Sequence, residues 1–176
     1  MLLDLLDLKK LRLIMFYVAY LLLMLFFQDS VLGNLKILGV KPLFFPAALV
    51  AIGMFENGIW GGALGVFAGI LADIVTGYTA LFTMLLPAVG FFAGVFSRWF
   101  INKRFFAFLI AGTAAIFVTG VLQAVKVWVF NGQFSFAVIF TVFIQAIVSI
   151  PFVAPLYYPC KWINERFGYL RSRKES

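Results

Sequence analysis

Residues 56–77 have the sequence ENGIWGGALGVFAGILADIVTG, in which a glycine or an aspartate recurs at a spacing of four. Positions four apart fall along one slowly drifting face of an α-helix. Small residues on such a face let another helix backbone approach closely inside a membrane. This face would meet either the protein's own helices or the transmembrane helix of a partner. The pattern therefore predicts a membrane helix with a packing face formed by Gly61, Gly65, Gly69, Asp73 and Gly77.

The composition of the whole chain indicates the same environment. Of its 176 residues, 64% are hydrophobic and 12% are charged, which leaves too little polar surface to cover a water-soluble globule. We predict an all-α polytopic membrane helical bundle, a single transmembrane domain over residues 1–176. The second span is short, and Pro42 and Pro46 disfavour a regular helix before it, so a half-helix or re-entrant hairpin is an alternative there to a full crossing. The six predicted spans are 11–27, 43–55, 58–77, 80–99, 105–130 and 134–158.

The basic residues predict the orientation. Of the 14 lysines and arginines, 11 fall on one side of the membrane under the six-span model. The other three, Lys36, Lys41 and Lys126, fall on or near the opposite side. The positive-inside bias places the more basic side in the cytoplasm. We therefore expect a multi-pass protein of the bacterial cytoplasmic membrane, with both chain ends in the cytoplasm. Its basic tail, residues 160–176, would be an interfacial helix or a plain stop-transfer tail.

Two carboxylates are candidate functional groups, Asp73 within the third apolar run and Glu56 at the turn before it. A carboxylate in a membrane helix costs ~2.5–3.5 kcal/mol on insertion scales and normally faces a partner or a cavity. Asp73 and Lys126 each lie four residues before the outer end of their predicted span, so an ion pair between them is one hypothesis, and an Asp73 that contacts the headgroups is the other. Glu56 lies at the predicted cytoplasmic turn, where a carboxylate favours the dipole of the following helix. Gln28 is interpreted as an ordinary interfacial residue.

Several function classes are disfavoured by the residues that the sequence lacks. The chain has no histidine and one cysteine, Cys160, so it has no Ser/His/Asp or Cys/His catalytic set and no usual zinc site. No phosphate-binding glycine-rich loop with lysine is present. The basic residues separate apolar runs and form no stripe for nucleic acid. We expect no enzymatic activity, a lipid-modifying one included, and no cofactor, metal or nucleic-acid partner.

The chain resembles the bacterial rod-shape-determining MreD family over nearly its whole length in layout, with the matching motifs clustered between Gln28 and Gly77. The similarity comprises a first span that ends in Gln28, the stretch LKILGVKP at 35–42, and the glycine-rich span with its acidic residue. Leu43 departs from the family, in which many members carry an acidic residue after the proline. The resemblance implies a non-enzymatic scaffold of the cell-elongation complex, involved in cell shape and lateral peptidoglycan synthesis.

The resemblance also implies partners. They are MreC, the actin-like MreB, the RodA glycosyltransferase and a class B penicillin-binding protein. The glycine face or a neighbouring groove would hold the membrane helix of MreC, and the basic loops would meet anionic membrane lipid or the cytoskeletal partner. The oligomeric state does not follow from these residues.

An alternative class has the same size and span number. The substrate-binding subunits of energy-coupling-factor vitamin transporters are similar in layout to this chain. Against that alternative, the first span contains Ala19 as its only alanine and so lacks an Ala-xxx-Ala docking motif. The outer region also has no evident cluster of Trp, Asn and Glu for binding a polar vitamin.

Overall fold

The structure is a computed structural model that describes residues 8–31, 33, 39–56, 58–77, 80–99, 105–131 and 136–167. The described residues form seven α-helices, and no strand occurs among them. A π-helical turn, Phe27–Val31, follows α1, and a 3-10 turn, Ala154–Leu156, joins α6 to α7. The helices are α1 Leu8–Phe26, α2 Phe45–Phe55, α3 Gly58–Thr76, α4 Leu81–Trp99, α5 Phe105–Asn131, α6 Phe136–Val153 and α7 Tyr157–Phe167.

The outer surface of the bundle is apolar, as a membrane solvent requires. Large hydrophobic side chains face outward, among them Ile74 at 72% exposure, Met84 at 80% and Phe106 at 74%. Within the described residues, four helical segments are long and apolar enough to cross a membrane: Leu11–Ser30, Gly58–Thr76, Phe105–Lys126 and Val138–Arg166. The chain is therefore a polytopic helical membrane protein.

The short helix α2 lies at the centre of the bundle. All eleven of its residues are buried, and it contacts α1, α3, α4, α5 and α7. Pro46 lies in its first turn, where proline costs no backbone hydrogen bond. At about 1.5 Å per residue α2 is ~16 Å long, far less than the ~30 Å of a bilayer's hydrocarbon core. The length of α2 therefore fits the half-helix alternative of the prediction. Protein, and not lipid, surrounds this helix.

The other helices surround α2 as three antiparallel pairs. The closest pair is α3 with α4, followed by α5 with α6, while α7 packs beside α1. We call the end of the bundle where α1 and α3 begin and where α4 and α7 finish the basic end, because Arg12, Arg98, Lys161 and Arg166 lie there. The other end is called the opposite end.

The last predicted span differs from the observed helices. The helix continues past residue 158, because α6 gives way to a 3-10 turn two residues after Pro151 and the chain resumes a helix as α7. Cys160 and Ile163 of α7 are buried, at 0% and 5% exposure. The first part of the predicted basic tail is therefore a packed helix of the bundle. The rest of the tail, residues 168–176, lies outside the described residues.

Candidate functional site

The glycine face of α3 is occupied by α4. A methyl group placed on Gly65 would lie 2.7 Å from both the Leu86 carbonyl oxygen and Pro87 Cα, and one on Gly69 would lie 2.6 Å from Thr83 Cα. Both distances are too short for any real side-chain carbon, so only glycine permits this contact. Of the two predicted roles of the face, the structure assigns Gly61, Gly65 and Gly69 to packing against the protein's own helix.

A second glycine cluster joins three helices near the basic end. Gly61 of α3 and Gly90 of α4 face each other across backbone contact, and Gly53 of α2 also contacts the Gly90 carbonyl oxygen. The absence of side chains lets the three helix backbones meet at one point. Sequence reasoning selected Gly61 but missed its partners, although the Gly90 and Gly94 spacing on α4 is the same small-residue signal.

Gly77 does not belong to the packing face. It follows the last residue of α3, has a φ of +68°, and a Cβ there would meet no described atom within 4 Å. A positive φ is the usual conformation of the residue that ends a helix and strongly favours glycine. The prediction that Gly77 lies on the packing face is therefore wrong, and its physical role is to end α3.

Asp73 holds the beginning of α4. The residue is 9% exposed, and its Oδ1 accepts a hydrogen bond from the Phe82 amide at 3.0 Å. Its Oδ2 accepts bonds from the Thr83 amide at 2.8 Å and the Thr83 hydroxyl at 2.6 Å. A carboxylate at this position satisfies amides that no helical carbonyl can satisfy and suits the positive end of the helix dipole.

The structure does not bring Asp73 to Lys126. Within the described residues, the hydrogen bonds of Asp73 go to α4, whereas Lys126 lies half-buried on α5. The capping bonds account for the burial of this carboxylate without a cation. The ion pair with Lys126 stays a hypothesis. A contact between Asp73 and the lipid headgroups is not needed to explain the position of a side chain that is 9% exposed.

Gln28 and Ser149 hold the first residues of α2. Gln28 Oε1 accepts hydrogen bonds from the amides of Phe44 at 3.0 Å and Phe45 at 2.8 Å. Ser149 Oγ of α6 accepts a bond from the Leu43 amide at 2.9 Å. These amides begin a helix inside the protein, where no water replaces a missing partner. Gln28, expected to be an ordinary interfacial residue, is in fact a helix cap.

The last carbonyls of α2 are held by two other helices. Ser97 Oγ of α4 donates a hydrogen bond to the Met54 carbonyl at 3.0 Å. Asn164 Nδ2 of α7 lies 3.3 Å from the Phe55 carbonyl oxygen and 3.2 Å from Glu56 Oε1, and donates to both. The backbone groups at a helix end have no partner within the helix, and a membrane interior offers them no water. Both ends of α2 are thus closed by side chains from elsewhere in the chain.

Glu56 joins the helices at the basic end. Its Oε1 accepts a hydrogen bond from the Tyr17 hydroxyl of α1 at 3.2 Å, in addition to the bond from Asn164 of α7. The carboxylate lies directly after α2 and before α3. Its observed contacts link α1 and α7 across the end of α2, a role that the predicted helix-dipole effect did not include.

An apolar groove lies between α4 and α5. Its volume is about 900 Å³, and Val50 and Met54 of α2 form its floor. Among the described residues that line it, all but Ser97 are apolar, and Phe92, Phe96 and Phe106 of its walls are more than half exposed. The groove therefore opens on the lipid-facing side of the bundle. Elsewhere, the described residues contain no group of three metal-ligating side chains.

Comparison of the chain with protein-family models, with curated proteins and with solved structures finds no match. The similarity to the MreD family rests on the sequence motifs given above.

Proposed function

We propose that this protein is a non-enzymatic membrane scaffold of the MreD type, which assembles cell-elongation proteins for lateral peptidoglycan synthesis. The main support for this proposal is that polar side chains of the bundle form hydrogen bonds to the ends of helices. Asp73, Gln28, Ser97 and Asn164 each bond to the end of a helix. Among the described residues, every buried side-chain N or O atom has a hydrogen-bond partner. Polar side chains bonded in this way stabilise one arrangement of the helices, as a scaffold requires.

The partner surface in this proposal is the lipid-facing exterior, and not the glycine face. Because α4 covers Gly61, Gly65 and Gly69, a partner's transmembrane helix has no access to them. The proposed partners MreC, RodA and the class B penicillin-binding protein would contact the outward faces of the helix pairs. The basic end, which the positive-inside bias places in the cytoplasm, would face MreB and anionic lipid.

One observation favours the alternative of a transporter subunit. The groove between α4 and α5 falls within the ~300–1,000 Å³ range of small-molecule pockets. Its lining is apolar and opens sideways, so it suits hydrocarbon better than a polar vitamin. The scaffold proposal therefore takes precedence, and the alternative becomes an outcome of the same experiment.

The test is purification of the tagged full chain from its host in mild detergent, with identification of bound proteins and bound small molecules. The scaffold proposal predicts recovery of MreC and wall synthases. A Gly65→Leu variant, which disrupts the α3–α4 contact, should lose these partners, and the matched Gly62→Ala variant should keep them. Recovery of transporter ATPases with a vitamin would replace the proposal, and recovery of neither group would contradict it.

A further inference from the structure

We propose that Trp162 and Arg166, on the outward side of α7, bind the phosphate of an anionic phospholipid in the membrane leaflet at the basic end. This inference deepens the proposed function and rests on the part of it that places the basic end against anionic lipid. The depth of α7 in the membrane, the exposure of its outward side and the contacts of its charged side chains all indicate this ligand.

The hydrogen bonds of Asn164 show the depth of α7 in the membrane. This side chain donates to the Phe55 carbonyl oxygen and to Glu56, which lie where α2 gives way to α3. Helix α3 has 19 residues and is about 28 Å long at ~1.5 Å per residue, so it crosses the ~30 Å hydrocarbon core once. The beginning of α3 therefore lies at the boundary of the core, and so does Asn164. Trp162 and Arg166 lie two residues to either side of Asn164 in the same helix.

Helix α7 has a buried side and an outward side. Cys160 and Ile163 are 0% and 5% exposed within the bundle, whereas Tyr158 and Trp162 are 64% and 52% exposed. Arg166 comes four residues after Trp162, so it lies on the same outward side, and it is also exposed. Tryptophan and tyrosine rings are enriched at the headgroup level of membranes. Trp162 and Arg166 are therefore positioned to contact lipid headgroups.

The charged side chains of the outward side differ in their contacts. Lys161 Nζ lies 3.9 Å from Glu165 Oε1, so these two charges form an ion pair. Arg166 Cζ lies 5.7 Å from the centroid of the Trp162 ring, and Arg166 forms no ion pair within the part of the chain that the structure describes. A cation–π contact leaves the guanidinium N–H donors available, and two of them can bind the oxygens of one phosphate. Arg166 is therefore the cation of α7 that a lipid phosphate would neutralise.

The charge of the outward side favours an anionic lipid over a zwitterionic one. Lys161 and Arg166 each carry a positive charge, and Glu165 carries a negative one. Basic residues at a membrane surface attract anionic headgroups. A choline headgroup brings its own cation, which competes with Arg166 for the phosphate, whereas phosphatidylglycerol has no such cation. The outward side should therefore select phosphatidylglycerol or a related anionic lipid.

The experiment uses the full chain alone in phosphatidylcholine nanodiscs that contain a small fraction of a lipid with a photoactivatable diazirine next to its headgroup. Phosphatidylglycerol and phosphatidylcholine versions of this probe are compared, and cross-linked residues are mapped by mass spectrometry. We expect cross-links concentrated on the outward side of α7, for instance at Tyr158 and Trp162, with a several-fold preference for phosphatidylglycerol. Because no other protein is present, the result does not depend on the recovery of MreC or wall synthases.

Charge variants test the role of Arg166. Arg166→Gln should lower the preference for phosphatidylglycerol about fivefold, the equivalent of ~1 kcal/mol per basic residue. Arg166→Lys should lower it less, because the charge remains while the two-point contact is lost. Glu165→Gln removes the opposing carboxylate and should raise the preference several-fold. Lys41→Gln, which removes the charge of an exposed lysine at the opposite end, should leave the preference unchanged.

Three results would overturn the proposal. They are equal cross-linking of α7 by the two probes, an unchanged preference in Arg166→Gln, and displacement of the probe by soluble inorganic phosphate, which would indicate a site for a free anion. Glu165 and Arg166 are exposed, so their variants should unfold at the temperature of the wild type. If Arg166→Gln fails to fold, Glu165→Gln decides the question, because the proposal requires a gain in preference there and the absence of a gain would contradict it.

Discussion

Gln28 and Asp73 show what a polar side chain does in this bundle. Each accepts hydrogen bonds from two consecutive backbone amides at the start of a helix: Gln28 through its single Oε1 at α2, and Asp73 through its two carboxylate oxygens at α4. The free amides of a helix start would otherwise be unpaired in a dry interior. The sequence predicts that Asp73 has a partner, because an isolated carboxylate in a membrane helix is costly. It gives no such signal for Gln28, whose amide partners lie sixteen and seventeen residues away across a connection.

Replacing Gln28 by alanine should destabilise the protein by about 1–3 kcal/mol, the cost of unpaired buried amides. The effect arises because the Phe44 and Phe45 amides lose their acceptor. Gln28→Glu keeps an acceptor oxygen near the positive end of α2 and should stay close to wild type. Thermal unfolding of the detergent-solubilised variants measures both, and equal losses in the two would contradict the capping role.

Asp73 and Lys126 can be separated by a double-mutant cycle. Asp73→Ala should destabilise by about 1–3 kcal/mol, because the amides of Phe82 and Thr83 lose the carboxylate. If capping is the role of Asp73, the effects of Asp73→Ala and Lys126→Ala should add. Equal losses from the two single changes, restored when the charges are exchanged between the positions, would establish the ion pair instead.

Among the elements, the sequence predicts more about the packing of α3 than about the surroundings of α2. The spacing of Gly61, Gly65 and Gly69 predicts the packing face of α3 correctly, because close backbone contact requires small residues at one helical spacing. It does not say which helix uses that face. The enclosure of α2 was not predicted, because a run such as FPAALVAIGMF is equally apolar whether lipid or protein surrounds it. Only its short length, Pro42 and Pro46 indicated a half-helix.

The glycines of α3 provide a matched pair of substitutions. Gly65→Ala should destabilise by about 1–3 kcal/mol through overpacking, because its methyl group would meet the Leu86 carbonyl and Pro87 Cα at 2.7 Å. Gly62→Ala is the control: its methyl group would lie 3.6 Å from its nearest neighbours, and the change should be neutral or stabilising by up to about 1 kcal/mol. Denaturation of both variants in one detergent gives the comparison, and equal losses would contradict the packing.

The molecule as a whole consists of a short central helix that other helices enclose and cap. Side chains from the π-turn after α1, from α4, from α6 and from α7 hold its ends. The membrane class and the all-α fold were predictable, because composition and run length depend on the solvent alone. The arrangement around α2 was not, because it depends on contacts such as that between Asn164 and Phe55, which are more than a hundred residues apart.

Labelling with a lipid-soluble carbene reagent tests the enclosure of α2 most directly. The reagent is photolysed in membranes that hold the full unmodified chain, and mass spectrometry gives the label on each segment. Outward side chains such as Ile74, Met84 and Ile147, which are 65–80% exposed, should be labelled. Within the segment Phe45–Phe55, Val50 and Met54 form the floor of the groove between α4 and α5, where the reagent can enter. The other residues of this segment should carry little or no label, since other helices bury them. Labelling of these other residues to the level of the outward side chains would contradict the enclosure of α2.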